Sequence, residues 1–250
     1  MQTITRVNSN LYNNSGGTPT LSRRNFPING LEFYLPLWHP ELSGTPVISK
    51  DLNAFSCAVT GTVHTPNVGR VYDGDDYVDL SNAISTIEAQ TGGTIIVWAN
   101  ITDPTVGFNA MFSFSDTGDA SSDFVFQVHT SDFRVRIREN GAGQLDMRSP
   151  GTAIGAATWY MYSLVVDGNF NAMYLDKTAQ TPDYTTGNAT TQKFFNSVGT
   201  PDSCLLGMNE DSTGVEWGVT GTIGEAYISL MSLTAIQIAH VYNSTKWRYK

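Results

Sequence analysis

Paired carboxylates would be the chemistry of a glycosidase, which needs two of them about 5 Å apart, or further apart with a water between. The spacing here does not supply such a pair. Asp76 and Asp79 flank Tyr77-Val78, so on a strand they point to opposite faces. Glu210, Asp211 and Glu216 lie in a turn-rich stretch, and Glu88, Glu139 and Glu225 stand alone. The acidic turn Asp73-Gly74-Asp75-Asp76 is a different case. Calcium takes about 6 to 8 oxygen ligands, and Asp73, Asp75 and Asp76 are the metal candidates. The alternative is a tight turn whose Asp side chains bond their own backbone.

The histidines, His39, His64, His129 and His240, have no second His or Cys at ligand spacing. Each reads as a surface or packing residue. No nucleophile elbow and no Gly-rich phosphate loop is present. Cys57 and Cys204 form no Cys-x-x-Cys pair, which excludes a thiolate zinc site. Both sit in apolar strand-like runs, "AFSCAVT" and "SCLLGM", as expected of buried free thiols, with a disulfide left open. Among the tryptophans, Trp98 and Trp159 belong to strands and to the core, and Trp38 packs in the "LWHP" bend. Trp217 lies near a turn with acidic neighbours, where it would stack on a sugar ring or pack half-buried. Trp247, in the basic tail "KWRYK", would dock back or touch a neighbour.

Composition narrows the partners. The 250 residues carry a net charge of −9 with only 15% charged residues. An acidic surface cannot gather nucleic-acid phosphates or dock on anionic lipid. No apolar run is long enough to insert into a membrane. Low charge, 23 glycines and 11% aromatics argue against both disorder and a helical bundle.

These residues have to be positioned by strands. From residue 30 onward, short β-rich runs alternate with turn signals. "TIIVWANI" is nearly continuous in apolar character, as for a strand buried on both faces. "FVFQVHT" and "FRVRIRE" alternate, joined by a link at Ser131 and Asp132 that reads as a hairpin. Phe133, Val135 and Ile137 should face the core, and Arg134, Arg136 and Arg138 the other way. Asn140-Gly141 marks a turn, and Asp167-Gly168 joins two further strands. One helix is expected, from the Thr234/Gln237 capping box and the Leu233/Ile238 staple to about Asn243 or Ser244. The expected architecture is an all-β antiparallel sandwich with one short C-terminal helix, over residues 29–250. Residues 1–28 read as an extended polar arm that needs its own domain or a neighbouring subunit to hold it. The opening "MQTITRVNSNLYNNSGG" has no apolar signal region, so the chain is expected either to stay where it is made or to leave by another route such as lysis.

Three stretches resemble the laminin-G-like jelly rolls of the concanavalin A-like lectin/glucanase superfamily. They are "GLEFYLPLWHPELSG" with the following "SKDLNAFSCAVTGTV"; "VYDGDDYVDL" with "TIIVWANI"; and "TWYMYSLVVDGNFNAMYLD" with "TGTIGEAYISLMSLTAIQIAHVYN". Together they cover about residues 30 to 245. The resemblance implies a jelly roll that binds glycans or proteins without catalysis. It implies that Glu225 joins the acidic turn around calcium, although Gly224 stands where relatives carry Asp. The three-acid strand of the glucanases is missing. The opening "LPLWHPELSG" looks like that of phage virion proteins. The expectation is therefore a non-catalytic virion-surface protein, a capsid decoration or fibre-type subunit anchored by its arm. Its partners would be further copies of itself or a capsid or tail protein, with Arg23, Arg24, Trp247 and Arg248 as assembly residues. The alternative is a free extracellular lectin that holds a glycan through rim loops at Asp75, Asn209, Glu210, Asp211 and Trp217. A degenerate glucanase is the third class.

Overall fold

The computed structural model describes residues 30–150 and 154–250. The arm assigned to residues 1–28, with Arg23 and Arg24, lies outside the described residues. Two antiparallel sheets stack face to face, as expected for a jelly-roll sandwich. In spatial order, one contains β14 (Thr178–Ala179), β13 (Asn171–Leu175), β12 (Thr158–Val166), β7 (Gly93–Ile101), β19 (Thr220–Ser229), β5 (Gly69–Asp73) and β4 (Val63–Thr65). Strand β1 (Leu31–Leu35) pairs with β19 beside this path. The second, nine-stranded sheet starts with β15 (Asp183–Thr186), β11 (Ala142–Arg148), β10 (Asp132–Glu139), β9 (Asp123–His129) and β8 (Phe108–Ser115). It continues with β16 (Ser203–Leu206), β6 (Tyr77–Asp79), β3 (Ser56–Thr60) and β2 (Val47–Ile48). A separate hairpin is made by β17 (Asn209–Asp211) and β18 (Gly214–Glu216).

Alternation puts the core where the sequence placed it. Phe133, Val135 and Ile137 of β10 are buried, and the three arginines between them face outward. Across β9 and β8, the pairs Phe126↔Phe112 and Phe124↔Phe114 add aromatic bulk to the same layer. Strand β7 is apolar on both faces because it serves two cores. Ile95, Val97, Ala99 and Ile101 join the sandwich interior, while Ile96 and Trp98 enter a second cluster under the C-terminal helix.

That helix, α2 (Ala235–Thr245), follows a short helical turn, α1 (Ile84–Ile87), which the sequence pattern did not reveal because one turn is too short to show a period. The α2 cap is the expected reciprocal box of Thr234 and Gln237. The helix runs a residue past its expected end. Thr245 is buried, and its hydroxyl accepts from Trp98 Nε1 at 2.9 Å and donates to the Val241 carbonyl at 2.8 Å.

Two hairpins turn through consecutive left-handed residues, Thr130-Ser131 (φ +48°, +68°) and Asn140-Gly141 (φ +48°, +77°). This is the twist that matches right-handed strands. The first is shifted by one position from expectation, since Asp132 pairs with His129 and belongs to β10. The Asp167-Gly168 connection is a longer loop in which Asp167 Oδ1 accepts the Asn169 and Phe170 N–H groups.

Much of the basic tail docks on its own domain. Arg248 donates to Glu225 Oε1 at 3.1 Å and Oε2 at 3.3 Å, and its guanidinium lies 4.2 Å over the Trp38 ring. Tyr249 stacks on Trp98 and lies tilted against Trp159, each at 4.6 Å, and Lys250 pairs with Asp176. The reason is local charge. Glu225 is fully buried, and a buried carboxylate needs a cation. Of the tail residues expected to assemble, Arg248 is thus engaged within its own chain, while Trp247 stays half exposed. The Tyr249 ring also accounts for Gly224: any Cβ there would overlap that ring.

Cys57 and Cys204 are buried free thiols. They sit on strands that flank β6 from either side, so two strand spacings separate them, about 10 Å. That exceeds disulfide reach. Burial holds both thiols protonated, with Cys57 pushed up to about 12.

Candidate functional site

The outward face of the nine-stranded sheet carries a row of cross-paired charges. Arg134, Arg136 and Arg138 project from alternate positions of β10. Register brings β9 and β11 acids beside them. Arg134 donates to Asp146 through Nε at 2.9 Å and Nη2 at 2.6 Å, a bidentate fork. Asp123, fully buried, accepts from Arg136 at 2.6 Å and from Arg138 at 3.1 and 2.5 Å. The partnering Asp146 raises the pKa of Arg134, and Asp123 raises that of Arg138. Burial lowers that of Arg136 against the pull of Asp123. All three guanidiniums are fixed in direction while still reaching solvent.

An aromatic group completes this face. His129 stacks on Phe108 at 4.2 Å, and Phe108 stacks on Trp217 at 4.7 Å. The Arg136 guanidinium lies 4.5 Å from the Trp217 ring centre. Phe108 is level with His129 and Arg136 with Val125, four residues or ~13 Å apart along β9. Both side chains thus converge on the indole from different levels of the sheet. Burial lowers the His129 pKa, with Arg134 adding to the effect.

The β17–β18 hairpin overhangs this face. Asn209 and Glu216 are opposite each other, and Asn209 Nδ2 donates to Glu216 Oε1 at 3.4 Å. Burial and then Asp211 raise the Glu216 carboxyl, while Arg136 opposes them. The acidic side of the hairpin thus rests against the arginine row.

The expected glycan residues divide accordingly. Asn209 and Asp211 are buried; Asp211 Oδ1 accepts from Thr213 N and Oγ1 inside the hairpin, whereas Asn209 uses its Nδ2 on Glu216 and leaves its Oδ1 without a partner. Glu210 accepts from Ser203 Oγ at 2.7 Å. Trp217 is half-buried, with Phe108 and Arg136 packed on its ring. Asp75 is exposed on the β5–β6 turn, whose Gly74 carbonyl lies against Gly218, beside Trp217. The structure thus brings Asp75 and Trp217 to one end of the sandwich. The sequence reading overlooked Phe108, Gln127 and Asp123. The outward alternation of β10 was the available signal, but the partners of its arginines lie on other strands.

Asp73, Asp75 and Asp76 each offer a carboxylate oxygen, all within 4.8 Å of one another. Asp73 pushes the Asp75 carboxyl up, and Asp75 draws Asp73 down, as in a pair sharing a proton. Glu225 does not join them. It is held by Arg248, Tyr34 and Trp38 in the second core. The remaining three acids fill only part of a calcium sphere of about 6 to 8 oxygens.

The sequence matches no protein-family profile and no curated protein. Solved structures share its fold. The Ruminococcus gnavus IT-sialidase CBM40 bound to α2,3-sialyllactose aligns with a TM-score of 0.59 at 15% identity, over 68% of this chain and 94% of that one. The leech intramolecular trans-sialidase aligns at 0.60 and 16% identity, over 69% of this chain and 26% of that one. Trypanosoma rangeli sialidase in complex with sialic acid aligns at 0.61 and 14% identity, over 88% and 33%. The chain thus spans about a third or less of those two larger enzymes. At these identities the likeness establishes the lectin-like β-sandwich and nothing finer.

Proposed function

We propose that this chain is a non-catalytic glycan-binding module. The observation that carries the reading is the arginine row on β10, each guanidinium aimed by a largely or fully buried aspartate while its side chain keeps a solvent-facing edge, 19%, 12% and 25% exposed for Arg134, Arg136 and Arg138. Fixed donors and acceptors recognise sugar hydroxyls without having to be ordered on binding. The sandwich likeness to a module solved with sialyllactose supports this choice of ligand class. A non-catalytic role is supported by how the buried acids are used: Asp123 and Asp146 orient arginines, Glu225 neutralises Arg248, and Asp211 closes its own hairpin. A glycan array that includes sialylated, neutral and bacterial surface sugars tests the reading, with and without calcium. Binding is expected, and its loss in Arg136→Ala or Arg138→Ala would place it on this face. A blank array in both conditions would refute it.

The narrower reading, a phage virion-surface subunit, rests on the resemblance of the opening motif and on residues 1–28. Its test is the protein content of washed particles, together with the solution mass of the chain with and without that arm.

A further inference from the structure

We propose that the Trp217 indole occupies a covered sugar subsite, with Gln127 as its floor and Phe108 and Arg136 as its walls. The ligand it takes is a pyranose presenting adjacent hydroxyls. This inference rests on the glycan-binding reading above and names the residues of one subsite within it.

Register places the parts. Gln127 projects from the outward face of β9, opposite Ala110 on one side and Arg134 on the other. It lies between the levels of His129 and Val125, and so between the two walls of the indole. Ala110 has a small side chain there, and its N–H donates to the Trp217 carbonyl at 2.8 Å.

Three independent features mark the indole as a stand-in. Gln127 is fully buried, yet neither its Oε1 nor its Nε2 has a hydrogen-bond partner. A buried amide without partners is destabilising, and such groups are rare. Arg136 Nε, at the wall, is also buried and unpartnered. Trp217 itself sits at φ +56°, a left-handed conformation unfavourable for a bulky residue. Strain of this kind persists only where surrounding contacts hold it.

A sugar in place of the indole satisfies both polar groups. A hydroxyl both donates and accepts, so adjacent hydroxyls meet Oε1 and Nε2 together. A third oxygen accepts from Arg136 Nε. The apolar CH face of the pyranose takes the Phe108 ring that the indole now covers. The indole leaves by rotation of the Trp217 side chain, its carbonyl still bonded to Ala110 N.

The test is titration of purified chain and variants against the array, followed by calorimetry with 3′-sialyllactose, lactose and the best array glycan. Trp217→Gly removes the indole and suits the positive φ, and Trp217→Asn is a second variant that tolerates it. Each should bind the best glycan at least about tenfold more tightly than the parent, because the closed state no longer competes. Adding Gln127→Leu should return affinity to the parental level or below. Thermal melts verify that each variant is folded. If the parent binds and both Trp217 variants bind equally or more weakly, the inference is overturned while the glycan reading stands. Retained tight binding in the Gln127→Leu background overturns the assignment of the floor. If parent and variants bind nothing, both readings fall together.

Discussion

Asp123→Asn keeps the shape of the side chain and removes the one charge that two arginines share. The wild-type carboxylate is fully buried, while Arg136 and Arg138 are 12% and 25% exposed. Breaking a buried ion pair costs about 3–5 kcal/mol, since the surviving partner is left uncompensated. Here the surviving partners are cations that reach water, and the amide oxygen still accepts one bond, which puts the expected loss at the lower end, about 3 kcal/mol. Urea denaturation at neutral pH measures it as a fall in midpoint at unchanged slope. Glycan affinity should fall with it, because the guanidiniums lose their fixed direction. Asp123→Asn combined with Arg138→Leu should be less destabilised than the two single changes added together. A loss below about 1 kcal/mol for Asp123→Asn would show that the row does not depend on its buried acid, and the argument for a pre-aimed binding face would fail.

The same reasoning applies at the other end. Arg248→Ala strands Glu225 in the second core and should cost about 3–5 kcal/mol, roughly 10 °C in melting temperature, whereas Trp247→Ala should change little. Equal melts for the two variants would refute the docked tail. Acid should weaken the fold through histidines whose pKa values burial depresses, His64 beside Arg70 and His129 beside Arg134. Their contribution is complete above the unfolded value of about 6.5 and is lost as pH falls through the lower folded values. The raised carboxyls Asp76 and Glu216 act in the opposite sense as they take up protons, so the comparison is differential. Between pH 7.5 and 5.5, wild type should lose more stability than His129→Gln, and parallel pH profiles would sink the assignment.

Features that depend on near neighbours along the chain were legible before any fold was known. Strand period set which face of β10 is apolar, because alternation is a property of successive residues. Asn140-Gly141 turned as expected, because a left-handed pair is written in its own residue types. The α2 cap needed only Thr234 and Gln237, three residues apart. Which distant groups meet was settled by packing across strands. Strand register delivered Asp123 and Asp146 to the arginines, and it set Trp217 against Phe108 and Arg136, both distant from it in sequence. Glu225 had an equal claim, by residue type, to a calcium ion or to Arg248. The choice fell to Arg248 because the tail folds back over the eight-stranded sheet, where a buried carboxylate without a cation would be too costly to keep. Such pairings arise from packing across strands, and no local period or motif encodes them.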